Sequence, residues 1–202
     1  MKILFVCTGN TCRSPMAEAL LKSKVPDAEV QSAGLFAPSN QGPAGNAVEA
    51  LKHEGITLDS RSKPVSEALL HWADLVLTMT TQHKQSLILE HPDSQAKYFT
   101  LKEYAALDDI EIWDELKQRY AAYEEKRLQF FKAYRHQMDD PQLEQALNAH
   151  MQEEWQRIQK LEERLISYDI PDPFGGSLTD YQNTLAELET SVSVLAEKLR
   201  TK

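Results

Sequence analysis

The opening of the chain constrains it most: an apolar run at residues 2–6, then Cys7-Thr8-Gly9-Asn10, then Ser14-Pro15 leading into the spacing Met16, Ala17, Leu20, Leu21. The run has the length of a strand and the spacing after it is helical, so the segment reads as strand, tight loop, helix. Ser14 is expected as N-cap, with Pro15 at the first helical position, where a missing N–H costs nothing. The loop therefore ends on a helix N-terminus.

The rest of the chain repeats this unit. Residues 28–32 read as a second strand closed by Ala33-Gly34, and a Pro/Gly/Asn-rich loop at 38–45 leads into a helix through Ala47, Val48, Ala50 and Leu51. Residues 64–72 suggest a short helix. Residues 74–79, rich in Leu and Val, have the character of a buried parallel strand, followed by a helix through Leu87 and Leu89 and a strand at 97–101. Strands alternating with helices predict an α/β fold with a doubly wound parallel sheet. Ligands bind such sheets at the carboxyl ends of the strands, where the Cys7 loop falls.

From about 105 to 168 glycine vanishes. Trp113, Leu116, Tyr120, Tyr123, Phe130 and Tyr134 recur mainly at three- and four-residue steps, and Leu143, Leu147, Met151, Trp155, Ile158, Leu161 and Leu165 repeat the pattern. Asp139-Asp140-Pro141 between them predicts a stop and restart, with Asp140 as N-cap, so this stretch reads as an antiparallel helical hairpin. Asp172-Pro173-Phe174-Gly175-Gly176 is then a loop, and 178–199 a final helix.

With 202 residues, 42% of them hydrophobic, the chain can bury one good core, so the expectation is one domain, 1–202, interrupted by the hairpin at about 106–168. A net charge of -9 argues against nucleic-acid or anionic-membrane partners, since both need clustered Lys and Arg. No apolar run is long enough for a signal or a bilayer span, which predicts a soluble, cytoplasmic protein. The only two cysteines, Cys7 and Cys12, share the first loop, a placement that fits a chemical role in a reducing compartment better than a disulfide framework.

In the run from Cys7 to Ser14, a cysteine and an arginine stand with five residues between them, between strand and helix. Wrapped around a tetrahedral anion, the loop can turn the N–H groups of Thr8, Gly9, Asn10, Thr11 and Cys12 inward, with Gly9 expected to supply the permissive dihedrals. Arg13 adds a planar fork for two phosphate oxygens. The same amides and helix dipole stabilise a thiolate, and a Ser14 hydroxyl near the sulfur would hold it in place, making Cys7 a nucleophile for phosphorus. The plainer reading is a buried Cys7 and a surface Arg13, but a core cysteine does not need Gly, Asn, Arg and Ser-Pro at these spacings.

Attack on phosphorus needs a proton donor for the leaving group and later a base for water. Asp172, held extended by Pro173 in a glycine-bearing loop, is the candidate, though spacing alone equally allows a turn aspartate. Cys12 is close enough in sequence to pair with an oxidised Cys7, or is simply a packed side chain. The six histidines show no metal spacing and read as ordinary surface or core residues; no metal and no cofactor are expected.

The residues at 5–20, FVCTGNTCRSPMAEAL, resemble the active-site segment of the low-molecular-weight protein-tyrosine-phosphatase family, and SAG, ADLVLTM, TLKEY and DPFGGS follow in the family's order. The resemblance implies a flavodoxin-like four-stranded parallel sheet, Cys7 as nucleophile, Arg13 as phosphate binder, Asp172 as general acid, and a phosphorylated protein as substrate. Thr11 and the DPFGGS loop resemble the bacterial protein-arginine-phosphatase branch; tyrosine-specific members usually carry a branched apolar residue at the Thr11 position. The chemistry agrees, because a phosphoarginine leaving group has N–H donors for the Thr11 hydroxyl and Asp172, and Phe174 can pack on its flat side chain. The arsenate-reductase offshoot resolves its thiol adduct with later cysteines, and this chain has none after Cys12. A phosphotyrosine-specific enzyme and a non-catalytic phosphoprotein-binding scaffold are the alternatives.

The hairpin departs from the family, standing where members usually have a short link. It reads as an inert insertion whose helices bury their stripes against each other, a self-association arm, or a substrate lid.

Overall fold

The computed structural model describes residues 1–105, 110–135, 137, 139–164 and 168–200, the side chains at 110–114, 117 and 162–164 excepted. Strands β1 (Lys2–Cys7), β2 (Glu29–Gly34), β3 (Leu75–Thr78) and β4 (Tyr98–Thr100) form one parallel sheet in the order β2-β1-β3-β4. Around it run helices α1 (Arg13–Lys24), α2 (Gly45–His53), α3 (Glu67–Trp72), α4 (Thr81–Glu90), α5 (Leu101–Ala105) and α8 (Leu178–Arg200). This is the expected doubly wound, flavodoxin-like sheet.

The two-residue period of a strand sorts β1 between two cores. Ile3, Phe5 and Cys7 join Met16, Leu20 and Leu21 of α1 and Leu185, Leu188, Val192 and Leu195 of α8. Leu4 and Val6 instead join Leu70, Val76, Leu87 and Tyr98. Burial on both faces explains why β1 is a continuous apolar run and does not alternate. Each large side chain so buried contributes about 1.5–3 kcal/mol. Because β1 lies between β2 and β3, successive crossovers leave it in opposite directions and open a crevice at its carboxyl end. Cys7 stands at that point.

The chain divides into two compact units, Met1–Ala106 with Ser167–Lys202, and Leu107–Ile166. The second contains α6 (Ile110–Tyr134) and α7 (Asp140–Arg164). Leu116 packs with Ile158 and Leu161, the Tyr123 ring lies 5.8 Å from Trp155, and Phe130 lies 5.1 Å from His150. Positions rising along α6 meet positions falling along α7, so the pair is antiparallel. The stripes do face each other in large part; the side chains of Trp113 and Leu165 lie outside the described residues. Asp139, and not Asp140, takes the cap: its Oδ1 accepts the Gln142 N–H at 2.9 Å, which makes Asp140 the first helical residue and Pro141 the second. Glu154 is buried inside the hairpin, where it accepts from Lys126 at 2.8 Å and from Arg119 at 3.2 Å. Its carboxyl is held below the usual carboxylate range, chiefly by the Lys126 bond.

Candidate active site

Cys7 ends β1 with its sulfur 3.0 Å from the Ser14 hydroxyl, and the Asn10 N–H donates to that sulfur at 3.3 Å. A backbone donor and a hydroxyl thus converge on the atom expected to attack. The residue that turns the loop is Asn10, at φ 52°, and not Gly9, whose φ is not positive. Asn tolerates the left-handed region better than most residues, and its amide is fully used: Nδ2 donates to the hydroxyls of Ser14 and Ser32, both at 2.9 Å, and Oδ1 accepts the Lys63 N–H at 3.0 Å. Gly9 leaves its side open, with nothing nearer a Cβ there than the Thr11 hydroxyl at 3.7 Å.

Ser14 is not the helix cap. Helix α1 begins at Arg13, Cys12 occupies the cap position, and no side chain caps it, because the Ser14 hydroxyl is turned to Cys7 and to the Ala33 carbonyl at 3.3 Å. The first-turn amides of α1 keep their donors for an anion. Gly34 at the end of β2 is required by close approach: a Cβ there would stand 2.6 Å from the Thr8 carbonyl oxygen and 2.8 Å from the Asn10 nitrogen. The N–H groups of Leu35 and Phe36 donate to the carbonyls of Cys7 and Thr8, both at 2.9 Å, and tie the exit of β2 to the loop.

Arg13 is buried at 3% exposure and reaches three acceptors. Its Nη2 donates to Asp172 Oδ2 at 2.6 Å and to Thr8 Oγ1 at 3.4 Å, and its Nη1 to the Ile170 carbonyl at 3.2 Å. The Asp172 loop is pinned to the sheet just before the acid: the Ile170 N–H donates to the Met79 carbonyl at 2.8 Å, and Asp169 accepts from the Thr81 N–H at 2.7 Å. The Phe174 N–H donates to Asp172 Oδ1 at 3.1 Å, and a turn follows in which Gly176 N–H meets the Pro173 carbonyl with Gly175 at φ 78°, where glycine is needed. A cleft of about 160 Å³ is lined by Cys7, Thr8, Gly9, Thr11, Cys12, Arg13, Asp172 and Phe174. Every site residue expected from the sequence is at this cleft or, for Asn10 and Ser14, holds the Cys7 sulfur behind it.

The cleft also has neighbours that no sequence pattern announces. Cys12 is a packed thiol whose sulfur lies 3.3 Å from the Tyr181 hydroxyl on α8. Burial raises both the Cys12 thiol and the Tyr181 phenol above their ordinary values. His83, on the first turn of α4, is buried with Nε2 2.9 Å from Thr8 Oγ1. Burial first, and the Arg13 charge second, depress it from 6.5 to about 4, against the weaker pull of Asp172 and Asp169. The unfolded chain therefore binds this proton more readily than the folded one, and stability is expected to fall as pH drops from 6.5 through about 4. Thermal melts of wild type and His83→Gln across that window check this; parallel slopes would contradict it.

Among the described residues no cluster of three or more His, Cys, Asp or Glu side chains could hold a metal ion, and no helix is long and apolar enough to cross a membrane.

A model of the family described as low molecular weight phosphotyrosine protein phosphatase matches residues 2–152. A protein-arginine-phosphatase of Geobacillus stearothermophilus is 33% identical over 201 residues, 99% of this chain and 97% of its own. Another, from Bacillus subtilis strain 168, is 48% identical over 118 residues, 56% of this chain and 79% of its own. A solved structure of the YwlE arginine phosphatase, a C7S mutant with a phosphorylated active site serine, superposes with a TM-score of 0.67 at 34% identity, over 99% of this chain and 96% of that one. The loop, the sheet that carries it and these likenesses together establish that the chain belongs to the low molecular weight phosphotyrosine protein phosphatase family.

Proposed function

We propose that this protein is a cysteine-dependent protein phosphatase that removes phosphate from phosphoarginine side chains through a phosphocysteine intermediate. One observation carries the reading: the Cys7 sulfur, in contact with the Asn10 N–H and the Ser14 hydroxyl, shares a narrow cleft with the Arg13–Asp172 pair. In the first step the Cys7 thiolate forms a bond to phosphorus as the P–N bond breaks, and Asp172 gives its proton to the departing nitrogen. In the second, a water oxygen bonds to phosphorus, the S–P bond breaks, and the water proton passes to Asp172. Arg13 and the loop amides hold the phosphoryl oxygens through both steps. The Ser14 hydroxyl beside the sulfur can turn its hydrogen from the Ala33 carbonyl to the thiolate, as attacker and as leaving group.

For the leaving group, Thr11 is the residue to examine. Thr11 lines the cleft, and among the described residues its hydroxyl has a single side-chain contact, 3.6 Å to the Cys12 sulfur, which leaves lone-pair capacity to accept a guanidino N–H. Both relatives named above are protein-arginine-phosphatases, which favours the same substrate here. Thr11→Ile is expected to shift the ratio of kcat/KM for phosphoarginine over phosphotyrosine peptides about fivefold toward phosphotyrosine, the worth of one hydrogen bond of about 1 kcal/mol. An unchanged ratio would show that Thr11 does not set the leaving-group preference. The family's description names phosphotyrosine, so the tyrosine reading is the second outcome of the same assay.

We further read Leu107–Ile166 as an insertion in a single phosphatase domain and place the protein in the cytoplasm, where its two unpaired thiols would stay reduced. A net charge of -9 suits a protein substrate and not a nucleic acid. On α6 the exposed Leu128, Phe131 and Tyr134 offer an apolar strip for a second copy of the chain. Sedimentation at rising concentration should then show a dimer that Leu128→Glu abolishes; a monomer throughout would end that reading.

A further inference from the structure

A hydroxyl has one hydrogen and two lone pairs, and a neutral imidazole has one N–H and one bare nitrogen, so the contacts of Thr8 and His83 can be counted through. Thr8 Oγ1 lies 2.9 Å from His83 Nε2 and 3.4 Å from Arg13 Nη2, which only donates. His83 is 7% exposed, its backbone N–H donates to the Thr80 hydroxyl, and its buried Nδ1 has no hydrogen-bond partner among the described residues.

Two arrangements exist. If Thr8 donates to Nε2, the imidazole proton is on Nδ1 and a buried N–H has no acceptor, which costs about 1–3 kcal/mol. If Nε2–H donates to Thr8, Nδ1 is left as a bare acceptor, a less costly omission than an orphaned donor. The second arrangement therefore prevails. Both lone pairs of Thr8 Oγ1 are then engaged, by His83 and by Arg13, and the hydroxyl hydrogen has to point away from both. Thr8 is exposed and lines the cleft with Cys7, Arg13 and Asp172, so its hydroxyl hydrogen is open to the cleft and to the solvent at its mouth.

We infer that the Thr8 hydroxyl is a further donor to a phosphoryl oxygen of the substrate, and that His83 is the positioning residue that turns it toward the cleft. This rests on the phosphatase reading and adds to it a side-chain contact from a helix 75 residues away in sequence. His83 acts through Thr8 and does not touch the substrate. Its neutral state at ordinary pH keeps a second positive charge away from Arg13.

The test uses inorganic phosphate as the binding probe, by calorimetry, together with kcat and KM on a phosphorylated peptide. The proteins compared are wild type, Thr8→Val, Thr8→Ser, His83→Leu, His83→Gln and the double variant Thr8→Val with His83→Leu. Losing one hydrogen bond to a charged group is expected to weaken phosphate binding and kcat/KM about tenfold in Thr8→Val and in His83→Leu. Thr8→Ser and His83→Gln, which keep the hydroxyl and an amide donor near the Nε2 position, should recover most of that. The double variant should be no worse than either single one, because the two residues act as one unit.

Wild-type phosphate affinity in Thr8→Val, or losses that multiply in the double variant, would overturn the inference. A His83 of merely structural importance would lower the melting temperature without changing phosphate affinity in the folded protein. Should His83→Leu fail to fold, Thr8→Val decides alone, since it removes only the hydroxyl. Failure of the underlying reading looks different: a wild type that neither hydrolyses phosphorylated peptides nor binds phosphate sinks both, whereas an active wild type with an indifferent Thr8→Val sinks this inference only.

Discussion

Replacing Cys7 by serine is expected to lower kcat/KM on a phosphoarginine peptide on the order of 10⁵-fold, the scale on which loss of a catalytic nucleophile acts elsewhere. The expectation follows from what the substitution spares. Serine fits the end of β1, the Asn10 N–H and the Ser14 hydroxyl still face the substituted atom, and the loop and Arg13 still hold phosphate. What is lost is the sulfur nucleophile, since an alkyl hydroxyl stays protonated at neutral pH and attacks phosphorus far more slowly. Oxygen is also the poorer leaving group, so the few phosphoryl transfers that occur should stop at the first step. Intact mass after incubation with substrate is expected to show one retained phosphate on Cys7→Ser and none on wild type. Steady-state turnover by Cys7→Ser equal to wild type would end the phosphocysteine reading. Phosphopeptide binding by wild type without any turnover would point to the scaffold.

How far the site is legible in the sequence depends on how local each part is. The strand, loop and helix from Lys2 to Lys24 follow from apolar spacing within two dozen residues, and the parallel order follows from the repeats of that unit. The turn after Asp172 is legible for the same reason: Pro173, Gly175 and Gly176 each meet a backbone requirement inside five residues. The Asn10 conformation is not, because Gly9-Asn10 offers two residues able to take positive φ, and partners on Ser32 and Lys63 choose between them. The same holds for Ser14: a Ser-Pro pair before an apolar run fits a cap, and only the nearness of Cys7 and Ala33 shows where its hydroxyl goes. His83 and Tyr181 come to the loop from α4 and α8, across crossovers that no short-range pattern encodes. Gly34 lies in a legible motif, but its reason, contact with Thr8 and Asn10, is tertiary.

Asp172→Asn is expected to lower kcat on phosphoarginine peptides on the order of 10³-fold, within the range that general acid–base groups supply. Its ion pair with Arg13 at 2.6 Å makes the cause of such a loss ambiguous, for Asp172 could serve by fixing the arginine as well as by moving a proton. The two roles separate by leaving group. A phosphoryl group in the loop draws Arg13 to its own oxygens, which frees the Asp172 carboxyl to pass a proton to the leaving group. That proton matters greatly for a guanidino nitrogen and little for an activated aryl phosphate, whose leaving group departs as a stable anion. Asp172→Asn should therefore form the phosphocysteine from an activated aryl phosphate at close to the wild-type rate. It should then stall, because water has lost its base, and stopped-flow traces should show a burst of one leaving group per enzyme followed by slow turnover. Arginine positioning predicts another pattern, an equal loss for both substrates with no burst, and that result would move Asp172 from proton donor to brace for Arg13.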